Sequence, residues 1–309
     1  MRVRALYAKL FALTCAILTL ARLDFRAAVK KASCPCHTRD ESQRKTISLS
    51  RPSHHVCFIV PLRDRALQAD IFRTYLRGKM ALENLPYVLI LSKQSDGEYF
   101  NRGILLNVGF LALEQRNYAC SVVYLHDVDM LPSSRLVYHQ EAGQNVKYVR
   151  HLASQASQFG YRMPYETYLG GITGLEPSLF REVDGFSNDF WGWGGEDDDF
   201  YTRLKRMEVV VDHVEGATLC VSDGHTERDT SNQPANEKRL KRNTDLRNGL
   251  QHLRSFLAVN EDLIHREQVD ESTFEIRFNS SLYLDRRCDK LNQHDNETMT
   301  MCVENARLV

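Results

Sequence analysis

The chain has 309 residues, room for one large domain with appendages or for two small ones. Hydrophobic residues make up 43% and charged residues 26%, the balance of a globular protein with a real core. The 40 basic side chains equal the 40 acidic ones, so net charge points to neither nucleic acid nor a polyanion as a general partner.

Arg2 and Arg4 precede an apolar run that is cleanest from Leu10 to Ala21 and is broken upstream by Lys9. Counted from Ala5, the run is near the lower limit of the ~17 to 25 residues that span a bilayer, and Lys9 can snorkel to the headgroups. It also fits a signal-peptide core, with Ala27-Ala28 or Ala32 after a cleavage site. Either reading sends the rest of the chain into the secretory pathway. We expect residues 1–22 to form a short cytoplasmic tail and signal-anchor, 23–54 a polar stem, and 55–309 the folded domain. Two acceptor sequons, at Asn279 and Asn296, agree with lumenal glycosylation. Of the eight cysteines, Cys15 lies in the apolar run. Cys34 and Cys36 suit a stem disulfide, an intermolecular bond or unpaired thiols. Cys57, Cys120 and Cys220 fall in apolar runs and read as buried thiols. Cys288 and Cys302 bracket a polar loop that a disulfide would close.

The folded domain opens with Val56–Pro61, a short buried strand. From about Ala66 to Glu83 the spacing of Leu67, Ile71, Tyr75 and Leu76 predicts a helix. Tyr87–Leu91 reads as a second strand. Asn101–Gln115 is a second helix, with Ile104, Leu105, Val108 and Leu111 on one face. Cys120–Leu125 is a third strand, ending in His126-Asp127-Val128-Asp129. Strands that alternate with helices and read as continuous apolar runs predict an α/β fold on a parallel sheet. Such sheets bind ligands at the carboxyl ends of their strands. The pattern loosens between Pro132 and Tyr168. The segment 168–175 is a glycine-containing strand or turn, where backbone can approach a ligand. Glu176–Val183 is a short helix with Pro177 in its first turn, and Glu196–Met207 is another. Val209–Val211 and Ala217–Val221 are strand-like. Beyond Asp229 the sequence is strongly polar, and no element is assigned.

Asp127 and Asp129 end a buried strand, where alternation would put both carboxylates on one side for a hard cation. A D-x-D alone is more often a cap or turn; the place at the strand end favours the metal. Asp223 and His225 follow another apolar run, and their oxygen and imidazole donors suit Mn²⁺, although most histidines are merely solvated. Arg63, Arg65 and Arg102 offer forks for phosphates, and Phe100 a ring for a base, at a helix start that favours anions. Surface arginines are ordinary, however, and Phe100 is as readily core. The most informative stretch is FWGWGGEDDDF (190–200), which holds both tryptophans of the chain. Its glycines leave Trp193 hinged. Repulsion among Glu196, Asp197, Asp198 and Asp199 should raise at least one pKa. Helical steps of ~100° point them apart, so one could serve as a general base while another grips a hydroxyl. Flexible backbone, aromatic ring and concentrated acid together suggest a sugar or nucleotide-sugar site.

In this order the segments FIVPLRDR (58–65), FNRGILLNVGF (100–110), LHDVDMLP (125–132), YLGGITGL (168–175) and GFSNDFWGWGGEDDDFYTRL (185–204) resemble the β-1,4-galactosyltransferase family, over about residues 56–240. Within it the chain is most similar to the xylosylprotein branch, which adds the first galactose of the proteoglycan linker. His126, Glu141-Ala142-Gly143, the D-G-H at 223–225 and the Cys288…Cys302 ending carry that likeness. Gly195 departs from it, since that branch carries Arg there, and Arg162–Tyr165 is more like the N-acetylglucosamine-directed branch. The resemblance implies a GT-A type fold, with a Rossmann-like nucleotide-sugar-binding sheet in a single catalytic domain. It implies galactose transfer from UDP-galactose to the 4-hydroxyl of a xylosylated protein or another glycan, with Mn²⁺ as cofactor. Pro61, Arg63, Arg65, Phe100, Arg102, Asp127, Val128, Asp129, Tyr168 and Trp193 would bind the donor, Tyr168 favouring galactose over N-acetylgalactosamine. Tyr168, Trp193, Glu196, Asp197 and Asp198 would meet the acceptor, with Asp197 the base. Asp129, Asp223 and His225 would ligate the metal, Asp223 where relatives carry His or Met. The resemblance also implies a single-pass type II protein of the Golgi membrane, its catalytic domain lumenal. Three rival readings are the same transfer to N-acetylglucosamine or to a glycolipid, glucosylceramide; an inactive, lectin-like relative; and a metal-dependent hydrolase built on the acidic cluster.

Overall fold

The computed structural model describes residues 55–138, 147–221, 230–242 and 248–291, all within one compact unit. Strands β1 (His55–Leu62), β2 (Tyr87–Gln94) and β3 (Cys120–His126) are parallel, with β1 between the other two. The predicted parallel sheet is thus found, but as the centre of a mixed one. Strand β11 (Thr273–Phe278) adds in parallel beside β2, and β10 (Ile264–Gln268) closes that edge antiparallel. On the other side β7 (Ile172–Leu175) runs antiparallel to β3, followed by β5 (Tyr148–His151) and β8 (Val210–His213). The strand order is β10-β11-β2-β1-β3-β7-β5-β8, and β4 (Met130–Pro132), β9 (Ala217–Cys220) and β6 (Gln155–Ala156) form a second, small sheet. The parallel centre follows from strands that are apolar on both faces and so need cover on both.

That cover comes from helices on each face. Val56, Phe58 and Val60 of β1 pack with Phe72, Leu76 and Met80 of α1 (Ala66–Glu83). Cys57 and Ile59 point the other way, into a core shared with α2 (Arg102–Gln115), α3 (Pro177–Glu182), α4 (Glu196–Arg206) and α6 (Leu250–Leu257). Of the predicted inner stripe of α1, Leu76 is buried and Tyr75 partly so, but Leu67 is 64% and Ile71 37% exposed, and Gln68, Ala69, Phe72, Lys79 and Met80 complete the buried face. Lys79 is the unexpected member of that face. Its ammonium pairs with Glu83 (3.1 Å) and donates to the Leu136 carbonyl at 2.5 Å, so a polar residue holds a core position that counting apolar residues alone misses.

The thiol reading of Cys57 and Cys120 is overturned. They form a disulfide, with Cα atoms 5.7 Å apart, because β1 and β3 are neighbours and both side chains face α2. Cys220 is half-buried, its thiol 3.7 Å from Gln158 Oε1. The polar region beyond Asp229 is structured too, holding α5 (Gln233–Arg242), α6, β10, β11 and α7 (Ser280–Leu291). Strand β11 carried a readable signal, since Phe274, Ile276 and Phe278 alternate as buried residues. Asn279 of the first sequon accepts a hydrogen bond from Leu282 N–H (2.9 Å) at the start of α7. Residues 1–54, with the predicted signal-anchor and stem, lie outside the described residues. So do Glu141-Ala142-Gly143, Asn296, Cys302 and the side chain of Cys288. Among the described residues no helix is long and apolar enough to cross a membrane.

Candidate active site

The carboxyl ends of β1 and β3, the loop into α2 and the first turn of α4 open onto one cavity of about 1080 Å³. Every predicted donor and acceptor residue lines it: Pro61, Arg63 and Arg65 after β1, Phe100 and Arg102 at α2, Asp127, Val128 and Asp129 after β3, then Tyr168, Trp193, Glu196, Asp197 and Asp198. Gln94, at the end of β2, ties down the loop to α2. Its amide N–H donates to the carbonyls of Glu98 (2.9 Å) and Tyr99 (3.1 Å), and its oxygen accepts from Asn101 N–H (3.0 Å). Arg63 is held against this loop, donating to the Glu98 carbonyl, with its guanidinium 5.4 Å from the centre of the Phe100 ring.

The D-V-D segment is a turn rather than strand end, so alternation does not set its carboxylates. Asp127 turns to Arg102, whose Nε donates to Oδ1 at 2.7 Å. Arg102 also lies 3.7 Å from Glu196. The predicted phosphate fork is therefore the counter-charge of two acids. Burial alone would lower its pKa, but Asp127 and Glu196 outweigh it and raise the value. His126 anchors the turn from beneath, its Nδ1 2.8 Å from the Asp127 carbonyl and its Nε2 2.8 Å from Tyr138 Oη. Burial pushes this ring down to about 4, so it is neutral. Asp129 has a different neighbour: its carbonyl accepts from Val221 N–H at 2.7 Å, next to the β4–β9 pair Met130–Cys220. The segment carrying Asp223 and His225 leaves from this point, but both residues lie outside the described ones. Among the described residues no three metal-binding side chains cluster.

The acidic, aromatic stretch divides its labour. Trp191 is core, 1% exposed, whereas Trp193 is 43% exposed and faces the cavity, so the aromatic platform is one tryptophan, not two. The loop is also strapped rather than loosely hinged. Gly192 N–H donates to the Phe100 carbonyl at 2.9 Å. Asn232 and Asn236 amides donate to the Trp191 carbonyl at 2.7 and 2.9 Å, and Asn236 reaches the Trp193 carbonyl at 3.3 Å. Gly195 caps α4 with φ of 93°, and a Cβ there would meet Phe190 at 2.9 Å, so glycine is required twice over.

The four acids have four fates. Asp199 is buried and bound by Arg203 (2.7 Å). Asp198 pairs with the Tyr165 hydroxyl. Glu196 faces Arg102, and Asp197 faces the cavity beside Gly170. Burial, and secondarily the neighbouring carboxylates, raise the pKa values of both Glu196 and Asp197. Repulsion acts as foreseen, but it is the smaller cause. Tyr168 is buried among Tyr165 (ring centres 5.6 Å apart), Phe159 (5.4 Å) and His151 (5.4 Å).

Two family models match the chain: an N-terminal region of glycosyl transferase group 7 over residues 31–140, and a domain described as the N-terminal domain of galactosyltransferase over residues 150–222. Mus musculus β-1,4-galactosyltransferase 2 is 36% identical over 160 residues. The chain belongs to the β-1,4-galactosyltransferase family. The match with the mouse relative takes in 52% of this chain but 42% of that protein, so the chain spans less than half the length of such curated relatives. The fold is that of GT-A glycosyltransferases. The catalytic domain of Drosophila β-1,4-galactosyltransferase 7 in complex with xylobiose superposes with a TM-score of 0.59 at 23% identity, covering 73% of this chain and 94% of that one. A mutant of the same enzyme, in complex with manganese, UDP-Gal and xylobiose, gives 0.56 at 24% identity with the same coverage.

Several cavity residues carried no sequence assignment. Tyr165 stood in a run noted only for branch likeness, and Asn236 in the polar region given no element. Their roles come from contacts across 33 and 43 positions in the chain.

Proposed function

We propose that the chain is an inverting β-1,4-galactosyltransferase. It moves galactose from UDP-galactose to the 4-hydroxyl of a terminal sugar, the xylose of the proteoglycan linker. The observation that carries this reading is the meeting, in one cavity, of the Asp197 carboxylate with the strand ends that bear Arg63, Phe100 and Asp129. The complex of the Drosophila neighbour with manganese, UDP-Gal and xylobiose supports donor, metal and acceptor class alike.

The chemistry is a single displacement. The acceptor oxygen attacks the anomeric carbon, Asp197 takes the hydroxyl proton, and the bond to the UDP oxygen breaks with its electron pair leaving on UDP. An α-linked donor gives a β-linked product. Burial raises Asp197 toward the operating range, where a general base is most effective, while the Arg102 charge opposes that rise and favours the ionised carboxylates of Glu196 and Asp197. Glu196 and Asp198 hold acceptor hydroxyls, and Trp193 and Tyr168 offer apolar faces to the sugar rings. Asp129, with Asp223 and His225, would hold manganese, which supplies Lewis-acid stabilisation to the leaving diphosphate. Two carboxylates and an imidazole suit that ion, and the bond from Val221 to the Asp129 carbonyl starts the second segment at the first ligand. A Golgi lumenal location behind a type II anchor is part of the same proposal. The Cys57–Cys120 disulfide supports it, since such bonds persist in oxidising compartments.

A second reading keeps the reaction and changes the acceptor to N-acetylglucosamine. It is favoured by Gly195 and by Tyr165, which lines the cavity. Turnover of UDP-galactose with a panel of xylosides and N-acetylglucosaminides decides between them; inert xylosides beside reactive N-acetylglucosaminides end the linker assignment. Asp197→Asn should abolish acceptor-dependent UDP release, and unchanged turnover would remove Asp197 as the base.

A further inference from the structure

Beneath the cavity floor lies a pair of histidines that no step above uses. His151 ends β5, and its ring is buried. Its Nε2 is 2.8 Å from the Gly170 carbonyl oxygen, and its Nδ1 is 2.9 Å from Nδ1 of His213, its register partner on β8. A carbonyl only accepts, so Nε2 carries the proton. Burial pushes the His151 pKa down to about 4, which leaves Nδ1 as a lone pair. His213, half-buried, must then donate from its own Nδ1. The pair has one self-consistent arrangement, and it fixes the tautomer of the inner ring.

What the inner ring holds is a short bridge across the site. Gly170 passes so close to the base that a Cβ there would stand 2.8 Å from Asp197 Oδ2 and 2.8 Å from Tyr168. The next carbonyl, of Gly171, accepts from Asp127 N–H at 2.8 Å. Gly170-Gly171 therefore links the D-V-D turn to the base. Without side chains, and with Gly171 at φ of 85°, this dipeptide has the widest conformational freedom available. Its geometry must be imposed from outside, and the His151 Nε2–H bond does so from a buried ring that does not itself line the cavity.

We propose that His151 is a positioning residue, whose Nε2–H, in the tautomer enforced by His213, fixes the diglycine floor and thereby aims Asp197 at the acceptor hydroxyl. The role rests on the galactosyl-transfer reading. A histidine that merely fills the core would lower stability when replaced and leave the turnover of folded protein alone.

The test uses the full chain with His151→Leu, His151→Asn and His151→Gln, assayed with UDP-galactose and the best acceptor of the panel. The Gln amide nitrogen reaches the place of Nε2, whereas that of Asn takes the place of Nδ1. Leu and Asn should lower kcat on the order of 10- to 100-fold, as small misplacement of reacting groups does, with KM for UDP-galactose within about twofold. Gln should recover kcat to within about fivefold. Wild-type kcat in folded His151→Leu, or equal losses in Asn and Gln, overturns the role. If the variants fail to fold, ¹⁵N spectra of the wild-type histidines decide: a neutral ring protonated at Nε2 from pH 5 to 8 supports it, and an Nδ1–H tautomer or an imidazolium in that range overturns it. A wild-type chain inert to every acceptor ends both the function and the role, whereas an active wild type with an unaffected His151→Leu ends the role alone.

Discussion

Gly170→Ala is the most economical probe of the site. The φ angle of Gly170 lies outside the left-handed region, so alanine meets no backbone penalty, and only space is at stake. The added methyl would sit 2.8 Å from Asp197 Oδ2 and from both the ring edge and the hydroxyl of Tyr168, where ordinary contact begins at 3.4 Å. The deficit of roughly 0.6 Å must be met by moving the carboxylate, the ring or the floor. Tyr168 is packed by three aromatic neighbours, and the floor is pinned at both carbonyls, so Asp197 yields. A displacement of this size at a reacting group costs on the order of 10- to 100-fold in rate, or about 1.4 to 2.7 kcal/mol of barrier. Steady-state kinetics should show the loss in kcat, with KM for UDP-galactose changed less than about threefold and a melting temperature within a few degrees of wild type. A variant that folds normally and keeps kcat within about twofold would show that Asp197 is not the group whose aim matters.

Four further outcomes rest on other contacts of the structure. Asp197 must be ionised to act, and its pKa is raised to about 6, by burial first and by the Asp198 charge second; kcat/KM should fall as pH drops through that value, and Asp198→Asn should move the limb to lower pH. Because the folded-state pKa lies above the ordinary carboxylate value, Asp197 contributes stability below about pH 4 that is lost as pH rises past 6; Asp197→Asn should therefore melt higher than wild type at pH 8, and a lower melting point would refute the burial argument. Replacing Cys57 and Cys120 together by alanine opens a link across 63 positions, worth about 4 kcal/mol by loop-closure entropy, to be read from urea unfolding; a loss under about 1 kcal/mol would show the strands held by the sheet alone. Asn236→Ala removes the donors to the Trp191 and Trp193 carbonyls; with each buried bond worth about 1 kcal/mol, KM for UDP-galactose should rise several-fold, and an unchanged KM would separate the Trp193 loop from donor binding.

The helix over 66–83 and the strands around Phe58, Ile90 and Val123 were legible because local periodicity and continuous apolar runs encode them. The antiparallel turn of the sheet at β7 was not, since Ile172–Leu175 is a four-residue strand whose partner is set by the fold. Asp197 stood out by its place in a rare cluster, and Asp199, its neighbour in the same cluster, turned out to be a core ion pair. The i,i+4 spacing of Asp199 and Arg203 on one helix is a local clue, since Asp197 has Tyr201 at that spacing; the structure adds that the pair closes to 2.7 Å in the core.

The sequence by itself determined the α/β alternation, the family and the residue types gathered at the strand ends, because these are written in short-range pattern and order. Only the tertiary structure decided which charges meet: Arg102 between Asp127 and Glu196, Cys57 with Cys120, and His151 under Gly170. Those pairings depend on distances between segments remote in sequence, and folding fixes such distances through the packing of the whole sheet and its helices.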